Sequence, residues 1–323
     1  MLSSLRSLVG KLRSFKPLAR KRCISELMGI LGTHSLEDAG FLRVGGLTVV
    51  VSCDGILEPV VKTSPRLAGY YSVLVNVQDV VCKGARPLGF LYVISSSSPA
   101  VRREMAEGIR EGLERFGLEF LKAHTHPDTT YDAVDGVCVG VARKVLRSNT
   151  ARVGEDLILA ADLEGSFRRG KLFHALDSTQ GKSRGEILEQ VEGMVEVAER
   201  GLASSCKDVS APGIVGTAAM LCEYSGVGAI LDLDLLPLPR GVGREEWLLT
   251  YPSTCYLLTS SRSERCLETL RKHGLEAEVV GKITRERKVV LRAGGERETF
   301  VDLRRESVFG FRGSPEPSSR SRW

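Results

Sequence analysis

The sequence predicts an α/β fold built from two domains, and three observations support this. Through residues 47–142, β-branched apolar runs alternate with stretches in which apolar residues recur every three or four positions. The alternation begins again after residue 150 with the apolar run LILAAD. A chain of 323 residues also suits two domains better than one. We therefore expect an N-terminal domain over residues 26–150 and a C-terminal domain over residues 151–312.

The first 25 residues are predicted to form a separate basic segment. Residues 1–22 hold seven of the 45 Lys and Arg residues and no acid, which leaves 38 basic and 40 acidic residues in the remaining chain. We expect an amphipathic helix packed on the first domain, with a transit peptide or an anion-binding arm as alternatives. Its apolar residues recur at helical spacing: Leu5, Leu8, Val9 and Leu12.

The N-terminal domain begins with the strand LTVVVSC, residues 47–53, a β-branched run that ends directly before Asp54. From residue 66 to residue 83, apolar residues recur at intervals of three and four, which predicts a helix. Asp54 is thus expected at the end of a strand. Three polar residues fall on one stripe of the helix: Asn76, Asp79 and Lys83.

The alternation continues to the end of the domain. LGFLYVIS predicts a strand, and the following serines with Pro99 predict the cap and first turn of a helix. LEFLKA (residues 118–123) and VDGVCVGVA (residues 134–142) predict two further strands. The segment AHTHPD is expected to be the loop after the first of these, and Asp132 and Asp135 are expected to be turn residues.

The C-terminal domain is predicted to open with the strand LILAAD, and residues 184–200 predict a long helix. A second helix is expected to end at Gly226, with Ser210 as its cap and the Asp208 loop at its beginning. Residues 313–323 are polar and proline-rich and predict a disordered tail.

Composition and motifs exclude several classes of protein. The chain is 42% apolar and 26% charged, as in globular enzymes, and no apolar run approaches the roughly 18 residues that span a bilayer. No basic stripe is interleaved with aromatic residues, as nucleic-acid binding would favour. The eight scattered cysteines lack a C-x-x-C pair and predict buried thiols in a reducing cytoplasm. We expect a cytoplasmic protein that acts on a small molecule and binds neither nucleic acid nor membrane.

Two phosphate-binding motifs are also excluded. DSTQGKS ends like a P-loop, but the glycine required five residues before Gly181 is replaced by Leu176. No G-x-G-x-x-G follows a predicted strand, so a dinucleotide fold of the usual kind is not supported.

Five aspartates occupy unusual positions for a carboxylate. Each has an ordinary alternative, such as a turn, a solvated helix position or a cap. Converged on one cleft, they would form an all-oxygen site that suits Mg²⁺ bridged to nucleotide phosphates, with Lys62 and Lys83 offsetting charge. The five are Asp38 in SLEDAG, Asp54 at a strand end, Asp79 in an apolar helix, Asp128 in AHTHPD and Asp208 before a helix.

The histidines of AHTHPD support a second hypothesis, a metal hydrolase that uses His124, His126 and Asp128. Imidazoles two residues apart on an extended backbone can both face one ion. A third hypothesis is a non-catalytic protein that binds nucleotide as a sensor or assembly factor.

Several segments, in their order and spacing, resemble the aminoimidazole ribonucleotide synthase superfamily over roughly residues 20–312, and most of all its archaeal methanogenesis marker protein 2 branch. The segments are SLEDAG, VVSCDGI, VNVQDVVCKGARP, AHTHPD and KDVSAPGIVGTAAMLCEYSGVGAILDL. The resemblance implies a two-domain α/β protein and a homodimer in which the N-terminal sheets meet. It also implies that ATP and Mg²⁺ are used to phosphorylate an oxygen of a small molecule of unknown identity.

The resemblance also implies roles for individual residues. Two departures support the sensor hypothesis: Gln78 replaces the usual asparagine, and SAPG replaces a glycine-rich turn after Asp208. By position, the implied Mg²⁺ ligands are Asp38, Asp54, Asp79 and Asp128. The implied nucleotide-binding residues are Asp54, Asn76, Asp79, Lys83, His124, Thr125 and Asp208.

Overall fold

The computed structural model describes residues 4–33, 35–170 and 174–311. Its helices are α1 (Leu5–Arg13), α2 (Lys16–Ala19), α3 (Ile24–Leu31), α4 (Glu58–Thr63), α5 (Pro65–Cys82), α6 (Pro99–Phe116), α7 (Arg184–Glu199), α8 (Gly213–Ser225), α9 (Arg244–Leu248) and α10 (Ser263–Lys272). Its strands are β1 (Gly40–Val44), β2 (Leu47–Gly55), β3 (Arg86–Ser95), β4 (Glu119–His126), β5 (Ala133–Ala142), β6 (Asp156–Ala161), β7 (Ser166–Arg168), β8 (Ala175–Asp177), β9 (Ser205–Asp208), β10 (Gly228–Asp232), β11 (Cys255–Ser260), β12 (Glu276–Thr284), β13 (Lys288–Ala293) and β14 (Glu296–Asp302).

These elements form two compact units, which confirms the α/β class and the two-domain fold. The N-terminal unit comprises residues 38–145 and 179–200, and the C-terminal unit comprises the described parts of the remaining chain. The chain passes from the N-terminal unit to the C-terminal unit at residue 146, close to the expected boundary at residue 150. Two segments differ from the predicted domains, because the described residues before residue 38 belong to the C-terminal unit and α7 belongs to the N-terminal unit.

The N-terminal unit is built on a five-stranded sheet with the order β1-β2-β5-β3-β4, in which β3 and β4 are parallel and the other neighbours are antiparallel. Helix α5 packs against β2, β3 and β5, and we call this side the helix face. Successive residues of a strand point to opposite faces. Leu42, Val44 and Leu47 are exposed on the other side, which we call the open face.

Helix α5 is buried along nearly its whole length, because α6 covers the side that the sheet leaves free. Glycines make this close packing possible. A Cβ atom at Gly108 of α6 would overlap the carbonyl oxygen of Arg66, and one at Gly112 would lie 2.7 Å from Val73 Cβ. The burial has a consequence for chemistry, since polar residues on α5 are removed from bulk water and must be bonded within the protein.

The C-terminal unit contains a seven-stranded sheet with the order β14-β13-β10-β12-β6-β11-β9. Only the pairing of β10 with β13 is parallel among its ladders in the described residues. Helix α8 contacts β9, β10, β11 and β13, and its apolar residues lie in the core of this unit. A short separate hairpin is formed by β7 and β8.

The amphipathic N-terminal helix was predicted correctly, but its docking site was not. The four apolar residues that predicted α1 are all buried. The helix packs on β14 of the C-terminal unit, where Arg13 Nε donates to the carbonyl oxygen of Phe300 at 2.6 Å. It therefore does not lie on the first domain as expected. The predicted tail, residues 313–323, falls outside the described residues.

The structure corrects three local predictions. Strand β4 continues through His126, so most of AHTHPD is strand and not loop. Asp135 lies within β5, not in a turn. Ser210 does not cap α8 with its side chain; its carbonyl oxygen instead accepts a hydrogen bond from Gly213 N at 2.8 Å.

The structure also describes the segment that ends like a P-loop and the eight cysteines. Ser183, the last residue of the rejected P-loop, forms a capping box with Glu186 at the start of α7. Six of the eight free cysteines are buried, whereas Cys23 and Cys53 are exposed.

Among the described residues, no helix combines the length and the apolar character needed to cross a bilayer.

Candidate functional site

The candidate site lies at the end of β2, where Asn76 of α5 holds the backbone of Asp54. Asn76 Oδ1 accepts a hydrogen bond from Asp54 N at 2.9 Å. Its Nδ2 lies 3.3 Å from Asp54 O and donates to Ser72 O at 2.8 Å. The fully buried side-chain amide of Asn76 thus bonds the backbone of β2 as a neighbouring strand would. The Asp54 residue itself is exposed. The arrangement fixes the position from which the Asp54 carboxylate projects.

Ser52 links this amide to the buried aspartate of the same helix. Its Oγ lies 2.6 Å from Asp79 Oδ2 and 2.8 Å from Asn76 Oδ1. Ser52 and Asp54 are two residues apart on β2 and therefore share the helix face. The sequence interpretation did not identify Ser52, although this two-residue spacing was the available signal.

One turn further along α5, Lys83 pairs with Asp38. Lys83 Nζ lies 2.6 Å from Asp38 Oδ2, with the lysine side chain fully buried and that of the aspartate 8% exposed. Cys82 Sγ lies 3.6 Å from the same carboxylate oxygen. The structure thus brings together Asp54, Asn76 and Asp79 at the end of β2 and joins Lys83 to Asp38 beside them.

The register of β4 separates residues that the sequence interpretation placed together. Thr125 is in register with Ile94, and Ile94 with Val134, which is buried on the helix face. His124 is in register with Val93, one residue earlier, and therefore lies on the open face. Thr125 thus shares a face with Asp54 and Asp79, whereas His124 does not.

Two further predicted residues lie in other surroundings. Asp128 is exposed in the turn after β4. Asp208 is the last residue of β9 in the C-terminal unit and is only 4% exposed. Burial, and to a smaller extent the charge of Asp208, raises the pKa of the Cys255 thiol.

Two thiols of the N-terminal unit show the electrostatic character of the site. Partial loss of hydration at the Cys53 thiol, followed by the charges of Asp54 and Asp135, raises the pKa of Cys53. Burial and the charge of Asp79 raise the pKa of Cys138. Asp135 lies against Gly55 on the open face, so the end of β2 has carboxylates on both faces. This end of the sheet therefore favours a cation.

The side chains at this strand end offer carboxylate, amide and hydroxyl oxygens. Oxygen ligands of this type suit Mg²⁺, which binds a few carboxylates and keeps several waters. The exposed Asp54 is accessible to a hydrated cation, and the buried Asp79 adds negative charge behind it. The donor set thus fits a hard divalent cation.

Comparison with protein families gives two adjacent matches. The family model for the N-terminal domain of AIR synthase related protein matches residues 36–142, and the model for the C-terminal domain matches residues 168–294. Together the two matches span more than half of the chain.

Two similar proteins illustrate the range of relatives. The uncharacterized protein MJ0640 of Methanocaldococcus jannaschii is 30% identical over 95% of this chain and 99% of its own length. The thiamine-monophosphate kinase of Pyrococcus abyssi is 25% identical over 68% of this chain and 73% of its own length. The similarity to MJ0640 thus extends over almost the full length of both chains.

Among solved structures, Thermotoga maritima PurL complexed with ATP matches with a TM-score of 0.69 and 20% sequence identity. The match covers 81% of this chain and 45% of PurL, so this chain spans about half the length of that relative. At this level of identity, the match establishes a shared fold.

Proposed function

The chain belongs to the AIR synthase related family, and from that membership we propose that it is an ATP- and Mg²⁺-dependent phosphoryl-transfer enzyme. The observation that carries the proposal is the oxygen cluster at the end of β2, in which Asn76 and Ser52 hold an exposed and a buried aspartate. A kinase among the relatives and the ATP complex of PurL support the choice of nucleotide. The substrate that accepts the phosphoryl group is proposed to be a small molecule with a reactive oxygen.

In this proposal, Asp54 and Asp79 are the central ligands for Mg²⁺, with Asp38 and Asp128 as further candidates. Bound Mg²⁺ would offset phosphate charge and help to align the transferred group, which is most of what phosphoryl transfer requires of a protein. Asn76 and Ser52 position these carboxylates. Asp38 differs from the others, because its carboxylate is already neutralised by Lys83.

The nucleotide is proposed to bind over the same end of the sheet. Thr125 is the better placed of the two predicted β4 residues, since it shares the helix face with Asp54. His124 would have to act from the open face or after a rearrangement of the strand end. Lys83 and Asp208 remain candidates for charge and phosphate positioning, as the family resemblance implies.

We further propose a homodimer formed through the β1–β2 side of the open face, at the edge of the sheet opposite to β4. Leu42, Val44 and Leu47 expose 64%, 56% and 42% of their surfaces there. An apolar sheet face of this kind favours association. Leu42→Asp should therefore produce a monomer in sedimentation equilibrium, whereas Leu235→Asp, at a half-exposed leucine of the C-terminal unit, should leave the mass unchanged.

Calorimetry with ATP and Mg²⁺ tests the nucleotide site. Asp54→Asn removes a proposed ligand at an exposed position and should weaken binding by about tenfold or more. Asp135→Asn is the matched control, because it neutralises an exposed aspartate on the opposite face of the same strand pair. Absence of binding to the wild type, or equal effects of the two substitutions, would contradict the site.

Turnover separates the enzyme from the nucleotide-binding sensor. ADP release would be measured with panels of amide and carboxylate metabolites, with Asp54→Asn as the negative control. An acceptor-dependent increase in ADP that is lost in the variant is the expected result. Tight ATP binding without turnover for any acceptor would favour the sensor.

A further inference from the structure

His124 and His126 form a pair of imidazoles on the open face of β4. They are two residues apart on a continuous strand, so their side chains project from the same face. The ring centroids are 4.7 Å apart, and the ring planes are nearly perpendicular, at 78°. Both residues are exposed to solvent. The proposed Mg²⁺ ligands do not include either histidine.

The spacing of the two rings suits joint coordination of one metal ion. With Zn–N bonds of about 2.0–2.1 Å and tetrahedral angles, two imidazoles bound through one nitrogen each have centroids about 5 Å apart. The observed distance of 4.7 Å is close to this value. Imidazole is a ligand for Zn²⁺, Ni²⁺ and Cu²⁺ and is a poor one for Mg²⁺. We propose that His124 and His126 chelate a divalent transition-metal ion of the Zn²⁺ class.

This site is distinct from the proposed Mg²⁺ site. His124 is in register with Val93 and, across β3, with Asp135, whereas Asp79 and Asn76 lie on the helix face. Asp135 lies two strand spacings, about 10 Å, from His124 and is not one of the proposed Mg²⁺ ligands. The proposal therefore does not depend on nucleotide binding, and it gives His124 a role other than the phosphate contact implied by the family resemblance.

The coordination shell is left open to solvent. In the part of the chain that the structure describes, the histidine pair belongs to no group of three His, Cys, Asp or Glu ligands within 4.8 Å of one another. Water would therefore complete the shell. A two-histidine site with open positions predicts moderate affinity and exchangeable metal, in contrast to a closed structural zinc site.

Titration of the full chain with ZnCl₂ tests the proposal. The protein must lack a polyhistidine tag, because the tag binds the same ions. We expect micromolar affinity in the wild type and at least tenfold weaker binding in both His124→Ala and His126→Ala. Lys122→Ala is the matched control, since this exposed residue precedes His124 by two positions on the same strand. Equal affinity in the wild type and both histidine variants, or only millimolar binding in all of them, would overturn the proposal.

Two additional measurements separate this site from folding and from the nucleotide site. The electron paramagnetic resonance spectrum of bound Cu²⁺ should show coupling to imidazole nitrogens, and the coupling should disappear in the double variant. Thermal unfolding of the metal-free variants should match that of the wild type, since both side chains are exposed. A large excess of Mg²⁺ should leave Zn²⁺ affinity unchanged; competition by Mg²⁺ would contradict a separate imidazole site.

Discussion

Lys83 Nζ lies 2.6 Å from Asp38 Oδ2 with the lysine side chain wholly buried. A charge in such a position is stable only when it is paired, because its loss of hydration is expensive. The pair joins the residue that follows α5 to the segment just before β1, and Lys83 lies about one helical turn beyond Asp79. Its first role is therefore to hold the local fold, and any contact of Lys83 with phosphate would compete with Asp38.

Lys83→Met should destabilise the protein strongly. Removal of one partner leaves the Asp38 carboxylate buried without this counter-charge, which typically costs about 3–5 kcal/mol. Urea unfolding followed by circular dichroism measures the effect. Lys62→Met is the matched control, because the Lys62–Glu58 pair is more than half exposed, and its unfolding midpoint should not change. Similar midpoints for the two variants would show that the buried pair is unimportant for stability.

Ser52→Ala should affect both stability and cation binding. The substitution removes the hydroxyl that lies 2.6 Å from Asp79 Oδ2, and a hydrogen bond to a charged group typically contributes about 1.5–3 kcal/mol. If Asp79 is a ligand, loss of this support should also weaken Mg²⁺–ATP binding by about 10–100-fold. Ser52→Thr retains a hydroxyl and should restore most of the affinity in calorimetry. Weak binding in both variants would indicate a packing defect.

The sequence predicted the elements that hold the site because their periods are local. The β-branched run identified β2 and placed Asp54 at its end, and the helical spacing placed Asn76 and Asp79 on one stripe of α5. From these two positions we expected Asp54 and Asp79 to converge on one cleft. Their contact through Ser52 was not predicted, since it depends on which strand the helix covers.

Other features depend on tertiary pairing and could not be obtained from periodicity. The register of β4 beside β3 decides that His124 and Thr125 face opposite ways. Asp38 and Lys83 are 45 positions apart in the sequence, and they form a buried ion pair only because the fold brings them together. The docking of α1 on β14 joins the two ends of the chain, and an amphipathic helix pattern specifies an apolar face without specifying its partner.

Cys53 should report the negative charge at the end of β2. The carboxylates of Asp54 and Asp135 disfavour the thiolate and add to the effect of partial desolvation in raising the pKa of Cys53. Neutralisation by Asp54→Asn or Asp135→Asn should lower that pKa and shift the rise of the alkylation rate with pH to lower pH. Iodoacetamide labelling followed by mass spectrometry measures the rate, with the exposed Cys23 as an internal control. A shift toward higher pH in either variant would contradict this electrostatic account.

Gly108→Ala should disrupt the packing of α6 on α5. The new Cβ would overlap the carbonyl oxygen of Arg66 and lie 2.7 Å from Tyr70 N, and both are backbone atoms that cannot move independently of α5. Overpacking of this kind typically costs about 1–3 kcal/mol. Gly10→Ala is the matched control: this exposed position in α1 has no atom within 4 Å of the new Cβ, and the substitution should stabilise by about 0.5–1 kcal/mol. Opposite shifts of the urea midpoint are expected for the two variants, and a stabilising effect of Gly108→Ala would show that α5 and α6 do not approach as closely as described.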